Sequence, residues 1–136
     1  MLSTNPYVRV IALDFSKTFD NVRHATLFEK LARLDIPDEV YNWIRDFFQG
    51  RSQSTRFEGE ESDFAELLAS IFQGSGVGPA CYVVTAGDLQ TLNVKNKLLK
   101  YADDTYLIIP AENTLTVADE IQHIEAWSKE NNLNLN

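Results

Sequence analysis

The chain has 136 residues, of which 44% are hydrophobic, and its formal net charge is −8 at pH 7. This length suffices for one domain with its own core but not for two, and the apolar content is not that of a disordered chain. No apolar run approaches the roughly 20 residues of a membrane-spanning helix, and the N-terminus lacks the pattern of a signal peptide. The negative charge opposes binding to nucleic acid, whose phosphates are normally contacted by Lys and Arg.

The single cysteine, Cys81, lies in the apolar run ACYVV and has no second cysteine with which to form an internal disulfide. This usage is typical of a reducing, intracellular compartment. Neither histidine is near Cys81 in sequence, so we expect a small buried side chain rather than a catalytic thiol.

The first half of the chain predicts a strand and two helices. Residues 7–15 are rich in Val, Ile and Leu and predict a strand that places Asp14 on the face of Val8, Val10 and Ala12. The first helix carries an apolar stripe formed by Leu27, Phe28, Leu31 and Leu34. The second begins near Pro37 and Asp38 and ends before Gly50. We expect its stripe to lie in the core: Val40, Trp43, Ile44, Phe47 and Phe48.

The second half predicts a hairpin, a helix, a second hairpin and a final helix. The run EGEESD favours a turn between short strands, and the glycine-rich FQGSGVGP precedes an apolar helix over 80–89. Short strands over 98–101 and 106–109 flank the run ADD. In the final helix, Thr116 and Asp119 resemble a capping box, and the apolar stripe is Val117, Ile121, Ile124 and Trp127. The asparagine-rich end predicts a turn into a strand.

Three aspartates are the candidates for chemistry. Asp14 ends the first strand, and Asp103 and Asp104 occupy the tip of an apolar hairpin. If the two strands are neighbours, the three carboxylates converge, and each pair repels by roughly 4 kcal/mol at about 4 Å and an effective dielectric near 20. Two Mg²⁺ ions would relieve this repulsion and serve phosphoryl transfer. An Asp-Asp pair on its own is more often a polar turn, so the flanking residues have to decide.

Four blocks occur in the order seen in reverse transcriptases: ALDFSKTFDNVRH, QGSGVGP, YADD and WSKENNLNLN. The chain resembles the palm of non-LTR (LINE-type) retrotransposon polymerases of the jockey-like kind, over nearly all of residues 1–136. YADD alone would be a weak signal, but four ordered blocks are specific. The motifs LDFSKxFD and QGSGVGP favour this family over the group II intron polymerases, which share the palm.

The resemblance implies an α+β fold in which helices cover one face of a small, mainly antiparallel sheet, with split βαββαβ (ferredoxin-like) topology. It implies attack of a primer 3′-hydroxyl on the α-phosphate of a deoxynucleotide (dNTP). The implied cofactors are two Mg²⁺ ions, with Mn²⁺ as an alternative, and the implied partners are an RNA template, a DNA primer and dNTPs. The parent element is expected to act in the nucleus.

The resemblance also assigns site residues. Asp14 and Asp103 bind the metal ions, with Asp104 in a less direct role and the backbone carbonyl of Phe15 as a further ligand. Phe19 lies under the sugar of the incoming nucleotide and excludes a 2′-hydroxyl. The other nucleotide-binding residues are Gln73, Gly74, Tyr101 and Ala102.

Structural interpretations stand beside these roles. Phe19 is compatible with a plain core position, and Gln73 and Gly74 with an ordinary turn. Asp20 is expected to be a helix N-cap, and Lys17 is either a phosphate contact or solvated. The two histidines, His24 and His123, have no ligand spacing to a partner and are expected to be structural or on the surface.

Compared with the family pattern, we expect the fingers, primer grip and thumb to be missing, together with a Lys that follows the NxLxLN block. Basic surfaces on those segments would account for the acidic balance of this chain. Two further hypotheses are a non-catalytic fragment of a decayed retroelement, inactive alone, and an acidic metal-binding domain unrelated to polymerases.

Overall fold

The computed structural model describes residues 1 and 3–136, which form short strands and helices in an α+β arrangement. In this part of the chain, no helix is both long and apolar enough to cross a membrane. In chain order, the elements are β1 (Val8–Leu13), β2 (Phe15–Ser16), α1 (Thr18–Asn21), α2 (His24–Leu31), α3 (Asp38–Phe48), β3 (Ser52–Gln53), β4 (Arg56–Phe57), β5 (Glu60–Glu61), β6 (Ala65–Glu66), α4 (Gly78–Ala86), β7 (Lys97–Tyr101), β8 (Asp104–Pro110), a 3₁₀ helix (Ala111–Thr116), α5 (Val117–Glu130) and β9 (Asn134–Leu135).

The largest sheet is antiparallel and has the strand order β1-β8-β7. Leu13 of β1 pairs with Thr105 of β8, and both side chains are buried. Because side chains alternate along a strand, the neighbouring pair Ala12 and Tyr106 lies on the opposite, exposed face. The sheet therefore has one face in the core and one face open, as the α+β prediction requires.

Helices α2, α4 and α5 cover the buried face of this sheet. The core is a single cluster of buried side chains that includes Leu27 and Leu31 of α2, Cys81 of α4 and Ile124 of α5. Cys81 is 2% exposed, and burial raises the pKa of its thiol to about 11. The prediction of a buried cysteine is thus confirmed.

Three small antiparallel pairs complete the fold. β2 pairs with β9, with Phe15 opposite Leu135, so the asparagine-rich end does return as a strand. β3 pairs with β6, and β4 with β5. Glu58 and Gly59 both have positive φ in the turn between β4 and β5, which confirms the hairpin predicted from EGEESD.

The prediction for α3 is wrong at two positions. Val40 is 45% exposed and Trp43 is 56% exposed, whereas Phe48 is 1% exposed. Phe48 reaches the aromatic cluster around Phe72, and the Trp43 ring stacks outside it on Phe47 at 5.8 Å. Periodic apolar residues show which side of a helix is apolar, but they do not show how much of that side the rest of the protein covers. Here the protein covers Phe48 and leaves Val40 and Trp43 exposed.

Two predicted helix caps are also wrong. Thr116 does occupy the N-cap position of α5, but its hydroxyl donates to the carbonyl of Asn113 at 2.9 Å and makes no capping bond, because the 3₁₀ helix runs directly into α5. Asp20 lies inside α1, whose N-cap is Lys17 in a left-handed conformation with φ 48°. The early turn at Lys17 moves Asp20 into the helix.

Candidate active site

Asp14 lies between β1 and β2 on the exposed side of the sheet. Leu13 pairs with Thr105, so Asp14 and Asp104 occupy the next position on two adjacent strands and share a face. The Asp14 carboxylate accepts a hydrogen bond from the side-chain amide of Asn136 at 2.7 Å, and its carbonyl accepts one from the Asn136 N–H at 2.9 Å. Sequence reasoning missed Asn136, which is 122 positions away.

The YADD run forms the tip of the β7–β8 hairpin. Tyr101 pairs with Asp104 across a turn made by Ala102 and Asp103. Ala102 has φ 51°, a left-handed conformation that costs roughly 1–2 kcal/mol for a residue other than Gly. Tyr101 is 82% exposed, and both aspartates are exposed. The tight turn thus presents the tyrosine and the two carboxylates to solvent at the end of the sheet that also carries Asp14.

A cleft of about 550 Å³ lies beside the hairpin tip. It brings together four residues that the sequence predicts for one site, although they come from three separate blocks: Phe19, Gln73, Gly74 and Asp103. The remaining lining residues are Phe72, Ser75, Gly76, Gly78 and Pro79.

The wall formed by residues 72–78 is a closed turn that leads into α4. The Ser75 hydroxyl donates to the Phe72 carbonyl at 2.7 Å and accepts from the Gly78 N–H at 3.0 Å. A Cβ at Gly78 would lie 3.1 Å from the Phe72 carbonyl oxygen, closer than a side chain is normally found. Gly74 has φ 80° and open space around it, so its backbone faces the cleft without obstruction.

Phe19 is held on two sides. Its carbonyl accepts a hydrogen bond from the Ile71 N–H at 2.7 Å, and its ring centroid lies 5.1 Å from that of Tyr82. Burial, and then the negative charge of Asp103, raises the pKa of Tyr82 to about 12. The phenol is therefore neutral at ordinary pH. Tyr82 was not predicted, although it follows Gly78 at helical spacing.

Phe15 belongs to the core, where it is 4% exposed and packs edge-on against Trp127 at 6.1 Å. Its carbonyl oxygen, the predicted metal ligand, accepts a hydrogen bond from the Thr18 hydroxyl at 2.6 Å. A carbonyl has two lone pairs, so this bond leaves one for another partner.

The predicted convergence of the aspartates holds for their strand positions but is wrong for their side chains. In residues 1 and 3–136, no three His, Cys, Asp or Glu side chains are grouped closely enough to hold a metal ion. Asp14 and Asp104 lie on the exposed sheet face, Asp103 faces the cleft, and the Asp14 carboxylate is held by Asn136. Asp103, in the turn after Ala102, thus faces away from the other two, and Asn136 holds the Asp14 carboxylate.

The three carboxylates nevertheless lack cationic partners within the described part of the chain. The ion pairs there join Lys30 to Asp88, Arg56 to Glu61, and Lys95 to Glu112. Exposed carboxylates without an ion pair, on a chain with net charge −8, create a negative potential that attracts cations.

Two lysine side chains, those of Lys30 and Lys100, bind backbone carbonyls at the end of α4. Lys100 of β7, three positions before Asp103, donates to the carbonyls of Ala86 and Leu89 at 2.6 and 2.5 Å. Burial lowers the pKa of Lys100. Lys30 of α2 donates to the carbonyl of Thr85 at 2.6 Å. Cations are favourable at a helix C-terminus. Through these bonds, α4 connects the cleft loop at its start to strand β7 at its end.

The remaining candidate residues are the two histidines and Lys17. His24 is buried, and its Nε2 lies 2.8 Å from the Ser70 carbonyl, while the His123 ring nitrogen lies 3.1 Å from the Gln90 carbonyl. Lys17 is exposed. The predicted structural roles of both histidines are consistent with these contacts.

A family model described as "Reverse transcriptase (RNA-dependent DNA polymerase)" matches residues 2–136. The chain therefore belongs to the reverse transcriptase family, as the four ordered blocks predict. It is similar to the RNA-directed DNA polymerase from mobile element jockey of Drosophila melanogaster, at 28% identity over 135 residues, covering 91% of this chain and 15% of that protein.

Two further relatives support the same kind of element. The jockey polymerase of Drosophila funebris is 26% identical over 146 residues, covering 99% of this chain and 16% of the relative. The probable RNA-directed DNA polymerase from transposon X-element of Drosophila melanogaster is 26% identical over 138 residues, covering 96% and 15%. The predicted resemblance to jockey-like polymerases is confirmed, and the chain spans about 15% of the length of these relatives.

Proposed function

We propose that residues 1–136 are the palm of an RNA-directed DNA polymerase, which adds deoxynucleotides to the 3′-hydroxyl of a primer. One observation carries this proposal: the strand end at Asp14 lies beside the hairpin tip at Asp103 and Asp104. The cleft lined by Phe19 and Gln73 opens beside the same tip. Carboxylates that could bind divalent metal ions and a cleft for a nucleotide are thereby adjacent.

The strand pairing supports the full palm topology. β2 continues the chain of β1 after Asp14, and β9 pairs antiparallel with it. If β1 and β2 count as one strand, the order becomes β9, β1/β2, β8, β7, which is the order of a split βαββαβ sheet. In this arrangement the strand break at Asp14 lies near the centre of the sheet.

The proposed metal ligands are Asp14, Asp103 and Asp104, with the Phe15 carbonyl as a further donor. Carboxylate and carbonyl oxygens are the hard donors that Mg²⁺ prefers, and Mg²⁺ usually takes few protein ligands together with water and substrate phosphates. The three aspartates, which form no ion pair in the described part of the chain, are donors of this type, although their side chains are not grouped closely enough to hold an ion as they stand. Two Mg²⁺ ions, or Mn²⁺ in their place, would supply charge neutralisation at the phosphates during nucleotidyl transfer.

The side chains of the cleft would bind and orient the nucleotide. Phe19 would lie against the sugar, and Gln73 and Gly74 would contact the nucleobase pair, with the open backbone of Gly74 permitting close approach. Tyr101 and Ala102 would border the primer end, since Tyr101 is 82% exposed beside the aspartates. Catalysis would then rest on positioning, with no covalent bond to the protein.

The proposed partners of the whole polymerase are an RNA template, a DNA primer and dNTPs. A net charge of −8 repels a phosphate backbone, so the basic contacts would come from fingers and thumb segments of a longer protein. The 136 residues alone should accordingly show no polymerase activity.

Primer extension on an RNA template tests this function in a polymerase that joins the chain to fingers and thumb segments. Asp14→Asn and Asp103→Asn should abolish synthesis, because each removes a charged ligand while keeping the side-chain size. Asp20→Asn is the matched control, since Asp20 is exposed on α1, and it should retain synthesis. Substantial synthesis by Asp103→Asn would overturn the assignment.

A further inference from the structure

Tyr82 forms the support behind the aromatic wall of the cleft. The Phe19 and Tyr82 ring centroids are 5.1 Å apart with an interplanar angle of 33°, within the range of favourable aromatic pairs. Phe19 is partly buried and lines the cleft. Tyr82 is 3% exposed and is not a lining residue, so its ring contacts Phe19 from the core side.

The Phe19 backbone has little freedom to move away from the cleft. Its carbonyl is bonded to the Ile71 N–H at 2.7 Å, directly before the cleft loop. On its other side, the Asp20 and Asn21 N–H groups both donate to the Lys17 carbonyl at 3.0 Å. The remaining freedom of Phe19 is rotation of its side chain, and Tyr82 restricts that rotation.

Tyr82 is itself anchored by α4. Gly78, one helical turn earlier, is packed closely against the Phe72 carbonyl. At the other end of the helix, Lys30 and Lys100 bind the last carbonyls. The position of the Tyr82 ring is therefore determined by a helix fixed at both ends.

To exclude the 2′-hydroxyl of a ribonucleotide, the Phe19 ring has to stay in place, because displacements well below 1 Å decide whether the extra oxygen fits. If the ring behind Phe19 were removed, the vacated volume would let Phe19 retreat from the cleft, since protein interiors relax only partly but measurably around a cavity. The selectivity of the wall would then fall even though Phe19 is unchanged.

We infer that Tyr82 is a specificity-determining positioning residue, whose ring fixes Phe19 and so sets the preference for deoxyribonucleotides over ribonucleotides. This inference rests on the proposed function of the cleft. It requires the Tyr82 ring but not the hydroxyl, because the contact with Phe19 is made by the two rings.

The test is the ratio of kcat/KM for a dNTP to that for the matching ribonucleotide, measured in the polymerase with fingers and thumb segments. A ratio is independent of the fraction of active protein. Tyr82→Leu should lower it by roughly tenfold, the scale on which apolar pockets discriminate small groups, chiefly through faster ribonucleotide incorporation. Tyr82→Phe keeps the ring and should leave the ratio unchanged.

Two further variants separate the possible explanations. Phe28→Leu removes a ring from the His24 and Phe48 cluster, away from the cleft, and should lower stability without changing the ratio. Phe19→Val tests the wall itself and should lower the ratio. If Phe19→Val leaves the ratio unchanged, the proposed sugar-excluding role is wrong.

If Phe19→Val lowers the ratio and Tyr82→Leu does not, the inference about Tyr82 alone is overturned. Tyr82→Met is examined in parallel in case the leucine variant is inactive. Loss of all activity in both variants would assign the ring to folding rather than to selectivity, and would also overturn the inference.

Discussion

Asn136 holds Asp14 at two points, through a 2.7 Å hydrogen bond from its side-chain amide to the carboxylate and a 2.9 Å bond from its N–H to the carbonyl. The Asn136 side-chain oxygen in turn accepts a hydrogen bond from the Ser16 hydroxyl at 3.0 Å. The block that ends in NLNLN is therefore connected directly to the proposed metal ligand.

Asn136→Ala should clearly lower polymerase turnover while reducing the free energy of unfolding only slightly. It removes the side-chain bond that orients Asp14 and leaves the backbone bond intact, so we expect a stability loss of only about 0.5–1.5 kcal/mol. Asn136→Asp should reduce turnover further, because a second carboxylate would face Asp14. Primer extension and urea unfolding measure the two effects.

The matched control for these variants is Asn134→Ala, at an exposed position of β9 two residues before Asn136. It should leave turnover unchanged. Equal turnover in wild type and Asn136→Asp would mean that the Asn136 contact does not position Asp14.

Lys100 should contribute to stability through the two carbonyls that it binds. Lys100→Met removes the ammonium and leaves the buried Ala86 and Leu89 carbonyls without this donor, which should lower the free energy of unfolding by about 1–3 kcal/mol. Lys97→Met is the control, because Lys97 lies on the same strand and its ammonium forms no hydrogen bond or ion pair in the described part of the chain. Denaturant unfolding should separate the two variants, and indistinguishable curves would contradict the proposed anchoring of the hairpin strand.

The buried thiol of Cys81 should make stability fall at alkaline pH. Burial raises the folded-state pKa of Cys81 to about 11 from an ordinary value of 9.0. Between these values the folded state keeps a proton that the unfolded state releases. The stabilising contribution is therefore complete below about pH 9 and is lost as the pH rises to about 11, by about 2–3 kcal/mol.

Cys81→Ala removes this one contribution, so its unfolding free energy should depend less steeply on pH across the same window. The pKa of Tyr82 is raised to about 12, so Tyr82 changes stability in the same direction at higher pH. The pKa of Lys100 is lowered by burial, so Lys100 acts in the opposite direction. Both groups are present in wild type and in Cys81→Ala and do not affect the comparison. Parallel pH profiles for wild type and Cys81→Ala would contradict a buried, protonated thiol.

The elements that the sequence predicts well are those whose signal is local. Apolar runs rich in Val, Ile and Leu mark β1 and the β7–β8 hairpin, and Pro79 marks the first turn of α4, so these elements lie near the predicted bounds. Trp43 was misassigned to the core because periodicity identifies the apolar side of a helix without revealing what covers it. Asp20 was misassigned because α1 already begins after Lys17, and Thr116 stands at the expected N-cap position but makes no capping bond because a 3₁₀ helix precedes it.

The site could be predicted only in part for a similar reason. Sequence blocks identify Asp14, Phe19 and Asp103, and the cleft does bring Phe19 and Asp103 together. Tyr82 contacts Phe19, and Asn136 contacts Asp14. Both contacts join residues far apart in the sequence, and no sequence spacing predicts them. The side-chain directions of the aspartates depend on the turn at Ala102, which sequence patterns do not specify.

The central claim is that the aspartates form a binding site for divalent metal, and thermal unfolding of the 136-residue chain in EDTA and in Mg²⁺ tests it most directly. Mg²⁺ that binds the folded chain should stabilise it by mass action and raise Tm, by the equivalent of about 2.7 kcal/mol at a concentration 100 times Kd. Asp14→Asn and Asp103→Asn should each lose most of this shift, while Asp20→Asn keeps it. Wild-type chain that melts at the same temperature in EDTA and in Mg²⁺ would contradict the claim.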